Sequence, residues 1–347
     1  MLAFIVRRVF WAVLLVCVIT LISFLIFFIL PPERAGMATQ GLETPNLQTQ
    51  FHLENKSLPE QYVTFLDRVF IHGDLGTSIR QPLEVREIIA DGLPVSLSLV
   101  LGGTVLWILI AFPIGILTAL RPRSLLDKGL MVFVLIGVSA HPVWLGLMFS
   151  YFFGVRLDIF PVADYCRFTY DPSAPELCGG PKFWVYHLVL PWLTFAFLFA
   201  ALYARMVRAN LLETMEEDYV RTARAKGAGT WRVMRRHVLP NTLLPIVTMI
   251  GMDVALAFSG ALFIETVFQL KGLGWSLYRA ATTYDLPVVM GIVLVVSVAV
   301  TLANLVVDIV YCLLDPRVRL HTREKRGLPV PRLRPRPQPQ HITESTS

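Results

Sequence analysis

Acidic and amide side chains inside long apolar runs are the residues of this sequence whose chemistry most needs an explanation. Asp253 lies in the apolar run 242–264, and Asn304 and Asp308 lie in the run 286–314. A charged side chain is costly in hydrocarbon, so it usually faces a protein interior or a water-filled path. Asp253 is therefore a candidate for a translocation path. Asn304 and Asp308 are four residues apart on one helix face, and they either line that path or bond to neighbouring helices.

A basic stretch, residues 221–240, separates two of the apolar runs and has the sequence RTARAKGAGTWRVMRRHVLP. Four acidic residues precede it: Glu213, Glu216, Glu217 and Asp218. Acidic residues at the start of a helix and basic residues at its end complement the helix dipole, and Gly227 suits its C-terminal end. Thr230 would cap a second helix. The apolar stripe of that helix would consist of Trp231, Met234 and Val238. The pattern predicts two helices joined at a glycine, and an amphipathic loop on the membrane surface is the alternative.

Six long apolar runs position these residues. The chain is 55% hydrophobic and only 16% charged, and its mean hydropathy is +0.60. A continuous apolar run of about 18 or more residues is long enough to cross a bilayer as a helix, whereas a membrane barrel has short alternating segments. The predicted spans are 9–30, 95–120, 130–153, 183–203, 242–264 and 286–314. We therefore expect an all-α membrane protein with six transmembrane helices. His141-Pro142 and Pro191 are expected to mark kinks.

Lys and Arg are unevenly divided between the two sets of loops. The N-terminus, residues 121–128, residues 205–240 and the C-terminal tail contain 21 of them, and the remaining loops contain 10. Short cytoplasmic loops are enriched in Lys and Arg, so both termini are predicted to be cytoplasmic. The net charge of +6 follows this topology and does not indicate a nucleic-acid partner.

Four regions follow from this topology. They are the N-terminal cytoplasmic end with the first transmembrane helix (1–30), an extracytoplasmic segment (31–94), a core with five transmembrane helices that includes the loop 210–240 (95–320), and a Pro/Arg-rich cytoplasmic tail (321–347). The extracytoplasmic segment should contain an amphipathic helix, a turn at HGDLGTS and a further short helix. The first helix is indicated by Tyr62, Phe65, Leu66, Val69 and Phe70, and the further one by Val85, Ile88 and Ile89. The tail has too few apolar residues and too many prolines to fold, so we expect disorder.

Two of the four cysteines lie together in one extracytoplasmic loop. Cys17 and Cys312 are inside apolar runs, where a cysteine acts as a small apolar residue. Cys166 and Cys178 are in the loop YCRFTYDPSAPELCGG, on the oxidising side, and a disulfide between them is expected. Two thiols with no nearby His make a poor zinc site, so no metal site is predicted.

Four motifs, in order along the chain, resemble one family. YVRTARAKGAGTWRVMRRHVLPN (219–241) resembles the cytoplasmic loop of ATP-binding cassette (ABC) importer permeases, whose pattern is E-A-A, three residues, G, nine residues, I-x-L-P. Aligned on Gly227, the pattern is matched by Ala223, Leu239 and Pro240, and it departs at Arg221, Thr222 and His237. The departure at Arg221 is typical of the dipeptide, oligopeptide and nickel subgroup. HGDLGTS (72–78), ETVFQLKGLGWSLYRA (265–280) and DPRVR (315–319) are similar to further motifs of that subgroup.

The resemblance implies a fold, a role and a set of partners. It implies the type I ABC importer permease fold and a coupling helix at 210–240 that docks on an ATPase. The residues carried over to that coupling loop are Arg221, Ala223, Arg224, Gly227, Trp231, Leu239 and Pro240. Glu265, Gly272 and Gly274 would form an external mouth that faces a solute-binding protein. The partners implied are a second homologous permease, two ABC ATPases, the binding protein and the lipid bilayer.

This chain is not expected to be an enzyme. It contains no phosphate-binding G-x-x-x-x-G-K-[ST] motif and no hydrolase motif, so ATP would be bound and hydrolysed by partner chains and no cofactor is expected here. The most favoured cargo is a di- or oligopeptide, with nickel, opines and sugar oligomers as alternatives. A self-sufficient secondary transporter or channel would instead use Asp253 and Asp308 for ion coupling. A membrane scaffold without transport is the third possibility.

Overall fold

Helices make up the part of the fold that the structure describes. The computed structural model describes residues 2–29, 57–169 and 178–314, where the only β-type pairing is an isolated bridge between Thr77 and Glu84. The helices in these ranges are α1 (Leu2–Phe24), α2 (Leu58–Leu66), α3 (Val85–Leu120), α4 (Leu125–Ser139), α5 (Pro142–Phe149), α6 (Pro181–Glu216), α7 (Asp218–Ala225), α8 (Thr230–Val233), α9 (Leu239–Val267), α10 (Leu273–Thr282) and α11 (Leu286–Leu314). Widened π-helical turns continue four of them: Leu25–Ile29 after α1, Asp67–His72 after α2, Ser150–Arg156 after α5 and Met234–Val238 after α8. The predicted all-α class is confirmed.

Five stretches of helix in the described residues are long and apolar enough to cross a membrane. They are Ile5–Phe28, Val85–Leu120, Pro181–Glu216, Thr230–Phe258 and Leu286–Ile309. A sixth crossing comes from the pair Leu125–Ser139 and Pro142–Arg156, if this pair, bent by 107°, is counted as one span. Helices satisfy every backbone hydrogen bond within the chain, which lipid cannot do. The structure therefore agrees with a six-span protein whose third span is broken.

Three of these spans differ from the sequence-based expectation. The helix expected around Ile88 is not a separate short helix, because α3 runs without interruption from Val85 through Pro94 to Leu120. The run 130–153 is not one straight helix, because α4 ends at Ser139 and α5 starts afresh at Pro142. The imidazole Nδ1 of His141 accepts the backbone N–H of Val143 at 3.3 Å and so caps α5. α6 continues through Pro191 and extends to Glu216, well beyond the expected end at residue 203.

The central pair of the bundle is α3 and α6. Trp107 of α3 is completely buried, and its ring stacks on Phe199 of α6 with a centroid distance of 4.5 Å. Gly102 faces Trp192 of α6, and a Cβ atom at position 102 would overlap the indole ring. Small residues at such contacts let two helices approach closely enough for dispersion to hold them together in lipid. This packing places α6 next to α3 in the centre of the bundle.

The predicted amphipathic helix is present as α2 and lies against the first span. Ser57 and Glu60 form a capping box at its start, which satisfies two N–H groups that a helix start leaves free. Phe65 is completely buried between Phe24 and Phe28 of the first span, with ring centroids 5.7 and 5.4 Å apart. Helix α2 therefore packs on protein rather than standing free on the membrane.

Several sequence-based expectations lie outside the described residues. These are the end of the first span at residue 30, the part of the extracytoplasmic segment up to residue 56, the DPRVR motif at 315–319 and the tail 321–347.

Candidate functional site

The basic segment, residues 217–240, folds as two helices joined at a glycine. Glu217 has extended backbone angles and separates α6 from α7. α7 ends with Gly227 in the left-handed region at φ +80°. The N–H of Gly227 bonds to the carbonyl of Arg224 at 2.9 Å, and the N–H of Ala228 bonds to that of Ala223 at 3.2 Å. These two bonds form a Schellman motif, which a glycine at this position permits without strain.

Two details of this segment correct the sequence-based picture. The cap of α8 is Gly229 and not Thr230, which is already the first helical residue. Glu213 and Glu216 do not start the basic helix, because they form the last turn of the long α6. Only Asp218 lies in the first turn of α7, where its charge complements the helix dipole.

Apolar side chains anchor the segment to the transmembrane helices. Four of them have at most 3% of their surface exposed: Val220, Val233, Met234 and Val238. Asn241 of α9 donates to the Tyr219 hydroxyl of α7 at 3.0 Å, and Thr242 of α9 donates to Thr214 of α6 at 3.2 Å, which joins the two spans on either side of the segment. The segment is thus attached to both α6 and α9. A force on the segment would be transmitted to these two spans.

The opposite face of the segment is exposed and basic. Its exposed cationic residues are Arg221, Arg224, Lys226, Arg232, Arg235 and Arg236. Trp231 is 70% exposed, so the expectation that it shares an apolar stripe with Met234 and Val238 is wrong. Ala223 and Leu239 are half-buried beneath this face, and Pro240 is exposed at the start of α9. An exposed tryptophan and exposed arginines in one segment are typical of a protein-binding surface, because these two residue types are enriched in binding hot spots.

At the other end of the bundle, Glu265 caps a helix from outside it. Glu265 is completely buried in the last turn of α9. Its carboxylate accepts the Ser96 hydroxyl at 2.6 Å and the backbone N–H of Trp275 at 2.9 Å. The Ser96 oxygen accepts the N–H of Leu273 at 2.8 Å. Both N–H groups belong to the first turn of α10, where negative charge is favoured. The motif that contains Glu265 therefore joins α3, α9 and α10.

Steric crowding explains why this motif has glycine at two positions. A Cβ atom at position 272 would overlap the Glu265 carboxylate, and one at position 274 would lie 2.6 Å from the Cα of Leu262. Gly272 and Gly274 thus let α10 approach α9 closely enough to be capped. We use the term mouth end for the end of the bundle that contains this motif and residues 57–84 and 157–169.

The acidic groups inside the apolar runs each have a partner. The Tyr203 hydroxyl of α6 donates to Asp253 of α9 at 2.5 Å. Arg8 of α1 forms an ion pair with Asp308 of α11 at 2.6 Å. Asn304 lines a cavity of about 490 Å³ together with Arg8 and Asp308. Asp308 of α11 therefore bonds to a neighbouring helix, α1. Asp253 bonds across a different pair of helices, α6 and α9.

One ion pair between two helices was not predicted from the sequence. Asp127 of α4 is buried, and its two carboxylate oxygens lie 2.5 and 2.8 Å from Nε and Nη2 of Arg208 of α6. Asp127 also accepts the backbone N–H of Arg123 at 2.9 Å, and its own N–H bonds to Ser124. The two partners are 81 residues apart in the sequence, so no local pattern indicates the pair.

The two cysteines of the mouth-end loop are bonded to each other. Cys166 and Cys178 form a disulfide with an Sγ–Sγ distance of 2.16 Å and Cα atoms 5.1 Å apart. Their loop contains the residues before α6, so the bond fixes the approach to that helix. Within the ranges that the structure describes, no group of three or more His, Cys, Asp or Glu residues could hold a metal ion.

The comparison with known families agrees with this geometry. The profile of the family described as "Binding-protein-dependent transport system inner membrane component" matches residues 111–320, and the profile of the N-terminal region of such membrane components matches residues 1–100. The chain belongs to this family. It is therefore a multi-pass inner-membrane permease subunit of an ABC importer, and it acts in transport as part of a complex with other subunits.

Curated relatives cover nearly the whole permease. A putative peptide permease protein of Brucella suis is 37% identical over 82% of this chain and 87% of the relative. The probable D,D-dipeptide transport system permease protein DdpB of Escherichia coli is 35% identical over 90% and 96%. The oligopeptide transport system permease protein AppB of Bacillus subtilis is 33% identical over 92% and 99%. The permease is thus similar to each of them over more than four fifths of its length.

Proposed function

We propose that this permease imports di- or oligopeptides. The names of its relatives in three bacterial genera refer to peptides, dipeptides or oligopeptides, and the similarity extends over at least four fifths of each chain. Its partners would be a second homologous permease, two ABC ATPases that bind the ATP, and an extracytoplasmic solute-binding protein. The peptide would pass from the binding protein to the cytoplasm by alternating access.

The observation that carries the mechanism is the two-sided basic segment. Its buried face is anchored to α6 and α9, and its exposed face presents Trp231 and a set of arginines. In our proposal this exposed face docks in a groove of an ATPase, where the arginines pair with acidic groups. Closure of the ATPases on ATP would then move the segment as a rigid body and rock the spans between outward-facing and inward-facing states.

The proposed topology follows from the distribution of Lys and Arg. The set of loops that includes the basic segment contains 21 of the 31 basic residues, which supports a cytoplasmic position for this segment and for both termini. The mouth end, with Glu265, Gly272 and Gly274, would then face the binding protein. The four regions 1–30, 31–94, 95–320 and 321–347 remain our proposed division of the chain. Asp253, Asn304 and Asp308 remain candidates for the path.

Uptake by the reconstituted importer tests the proposal. The permease is co-reconstituted in liposomes with its second permease and ATPases, and uptake of radiolabelled dialanine and trialanine is measured with binding protein outside and ATP inside. We expect uptake that requires ATP and survives a protonophore and a sodium ionophore. No uptake of either peptide, or uptake that the ionophores abolish, would contradict the proposal.

Neutral variants of the two membrane acids separate an importer from a secondary transporter. If Asp253 and Asp308 coupled ions to transport, the imposed gradient would stimulate uptake by the parent, and Asp253→Asn and Asp308→Asn would abolish that stimulation; in our proposal the gradient stimulates neither the parent nor the variants. In our proposal each variant remains driven by ATP alone, because the structure gives these carboxylates the partners Tyr203 and Arg8. The readout is the ratio of uptake with and without an imposed proton gradient.

A further inference from the structure

A cavity at the mouth end lies beside the family motif at 265–280, which contributes Gln269 and Lys271 to its lining. It has a volume of about 770 Å³ and lies between the start of α3, the loop that contains Cys166 and the turn after α9. Small-molecule sites in proteins typically have volumes of about 300–1,000 Å³. We call it the mouth pocket and define it by its charged and aromatic lining: Asp91, Asp164, Arg167, Phe168, Trp184 and Lys271.

The mouth pocket combines charges of both signs. Asp91 and Asp164 supply carboxylates, and Arg167 and Lys271 supply cations. Arg167 lies 3.3 Å from Asp91, but the two side chains are 63% and 78% exposed. An ion pair this exposed contributes little to stability, because water screens it. A ligand that carried both an ammonium and a carboxylate group could therefore replace the contacts of this pair without a large penalty.

An ordered aromatic wall lies beside these charges. The ring of Phe168 meets that of Trp184 edge to face at 5.4 Å. The indole N–H of Trp184 donates to the Tyr165 hydroxyl at 3.1 Å and to the Ser98 hydroxyl at 3.3 Å. The disulfide of Cys166 holds the backbone between Tyr165 and the charged Arg167. The wall is thus fixed before any ligand arrives, which lowers the entropic cost of binding.

We propose that the mouth pocket receives a short peptide with free termini on its way from the binding protein into the bundle. The ammonium group would bind Asp91 and Asp164, the carboxylate would bind Arg167 and Lys271, and side chains would contact Phe168 and Trp184. An anionic ligand would be repelled by the two acids, and a cationic ligand by the two bases, so a zwitterion suits this lining. The exposure of these charges makes binding weak, and a transported ligand must leave again. The inference rests on the proposed peptide import.

Site-specific photo-cross-linking tests this proposal in the intact importer. Phe168→p-benzoylphenylalanine is introduced into the permease, and Thr169→p-benzoylphenylalanine serves as a second position on the same pocket. Each complex is reconstituted in liposomes, supplied with binding protein loaded with radiolabelled trialanine, and irradiated with and without ATP. Uptake of trialanine by the unmodified importer is measured in parallel. We expect radiolabel on this chain from both positions.

Charge variants with matched controls identify the groups involved. We expect Asp164→Asn and Lys271→Gln each to reduce the labelled fraction roughly fivefold, as the loss of one half-exposed charge contact should. The controls Asp158→Asn and Lys182→Gln change exposed charges that do not line the pocket, and they should label like the parent.

Each other outcome has a definite meaning. Uptake without radiolabel at either position would overturn the mouth pocket as a peptide site and leave the proposed import intact. Cross-links to the binding protein alone would overturn it as well and would make the pocket a docking surface. Equal labelling in the charge variants and their controls would overturn the assigned roles of the charges. Absence of ATP-driven uptake in the unmodified importer would refute the proposed import itself.

Discussion

Two glycines in the basic segment differ only in backbone conformation, which isolates the effect of one residue. Gly227 has φ +80°, and Gly229 has φ −61°. A Cβ atom at either position would meet nothing within 4 Å. Substitution by alanine therefore adds no clash at either site. At position 227 it adds strain of about 1–2 kcal/mol, because a left-handed conformation is unfavourable for a residue with a Cβ atom.

We predict that Gly227→Ala impairs coupling and that Gly229→Ala does not. Strain at position 227 would open the Schellman motif and change the angle between α7 and α8, so the exposed face would fit its ATPase less well. The measurement is ATP hydrolysis stimulated by loaded binding protein, together with the number of peptides imported per ATP. We expect a several-fold loss for Gly227→Ala at an unchanged amount of inserted permease. Equal activities of the two variants would contradict this role of Gly227.

At the scale of the elements, the Asp127–Arg208 pair connects α4 to α6 close to the basic segment. The Asp127 side chain is 10% exposed and that of Arg208 is 22% exposed, and two oxygen–nitrogen contacts join them. Removing one partner of a buried pair leaves an uncompensated charge, at a cost of about 3–5 kcal/mol, whereas replacing both by apolar residues is often neutral. The pair therefore holds the first half of the broken span in position next to α6.

A double-mutant cycle measures this connection. We predict that Arg208→Met lowers the thermal stability of the solubilised permease strongly, and that Asp127→Leu combined with Arg208→Met recovers most of the loss. Thermal unfolding followed by tryptophan fluorescence, measured for each single variant and for the double variant, gives the coupling free energy. If the effects of the single variants simply add, the two side chains do not act as a pair.

The elements also indicate which parts of the fold a sequence can predict. Long apolar runs predict spans, because only a helix satisfies its own backbone in lipid. The placement of Trp231 was wrong for a physical reason: a widened π turn at Met234–Val238 follows α8, and a wider turn changes which residues share a face. The Asp127–Arg208 pair and the Ser96–Glu265 contact join residues 81 and 169 positions apart. No local pattern in one sequence encodes such distant contacts.

At the scale of the whole molecule, α6 connects the two proposed sites. Its 36 residues span about 54 Å at 1.5 Å per residue. Trp184 near its start lines the mouth pocket, Tyr203 in its middle holds Asp253, and Glu216 at its end adjoins the basic segment. A rigid helix packed along its length on α3 transmits a displacement at one end to the other, which is what alternating access requires of it.

The exposed face of the basic segment gives the last prediction. Trp231 should bind an acidic groove through a desolvated contact, whereas the exposed arginines of the same segment should bind it through contacts that salt screens. We predict that Trp231→Ala weakens binding of the ATPases by about 2 kcal/mol, roughly thirtyfold, at every salt concentration. Trp144→Ala, which removes a tryptophan that is 56% exposed on α5, should have no effect.

The arginines of the same face should contribute to ATPase binding in a way that depends on salt concentration. Arg221→Gln and Arg224→Gln should make the binding of the ATPases less sensitive to potassium chloride between about 0.05 and 0.5 M, because the Debye length falls from about 10 Å at 0.1 M to 3 Å at 1 M. Affinity is measured by titrating labelled ATPase onto the permease in nanodiscs. A salt dependence that is the same in parent and variants would mean that these arginines face lipid headgroups or water, and that the force of the ATPases enters the membrane elsewhere on the permease.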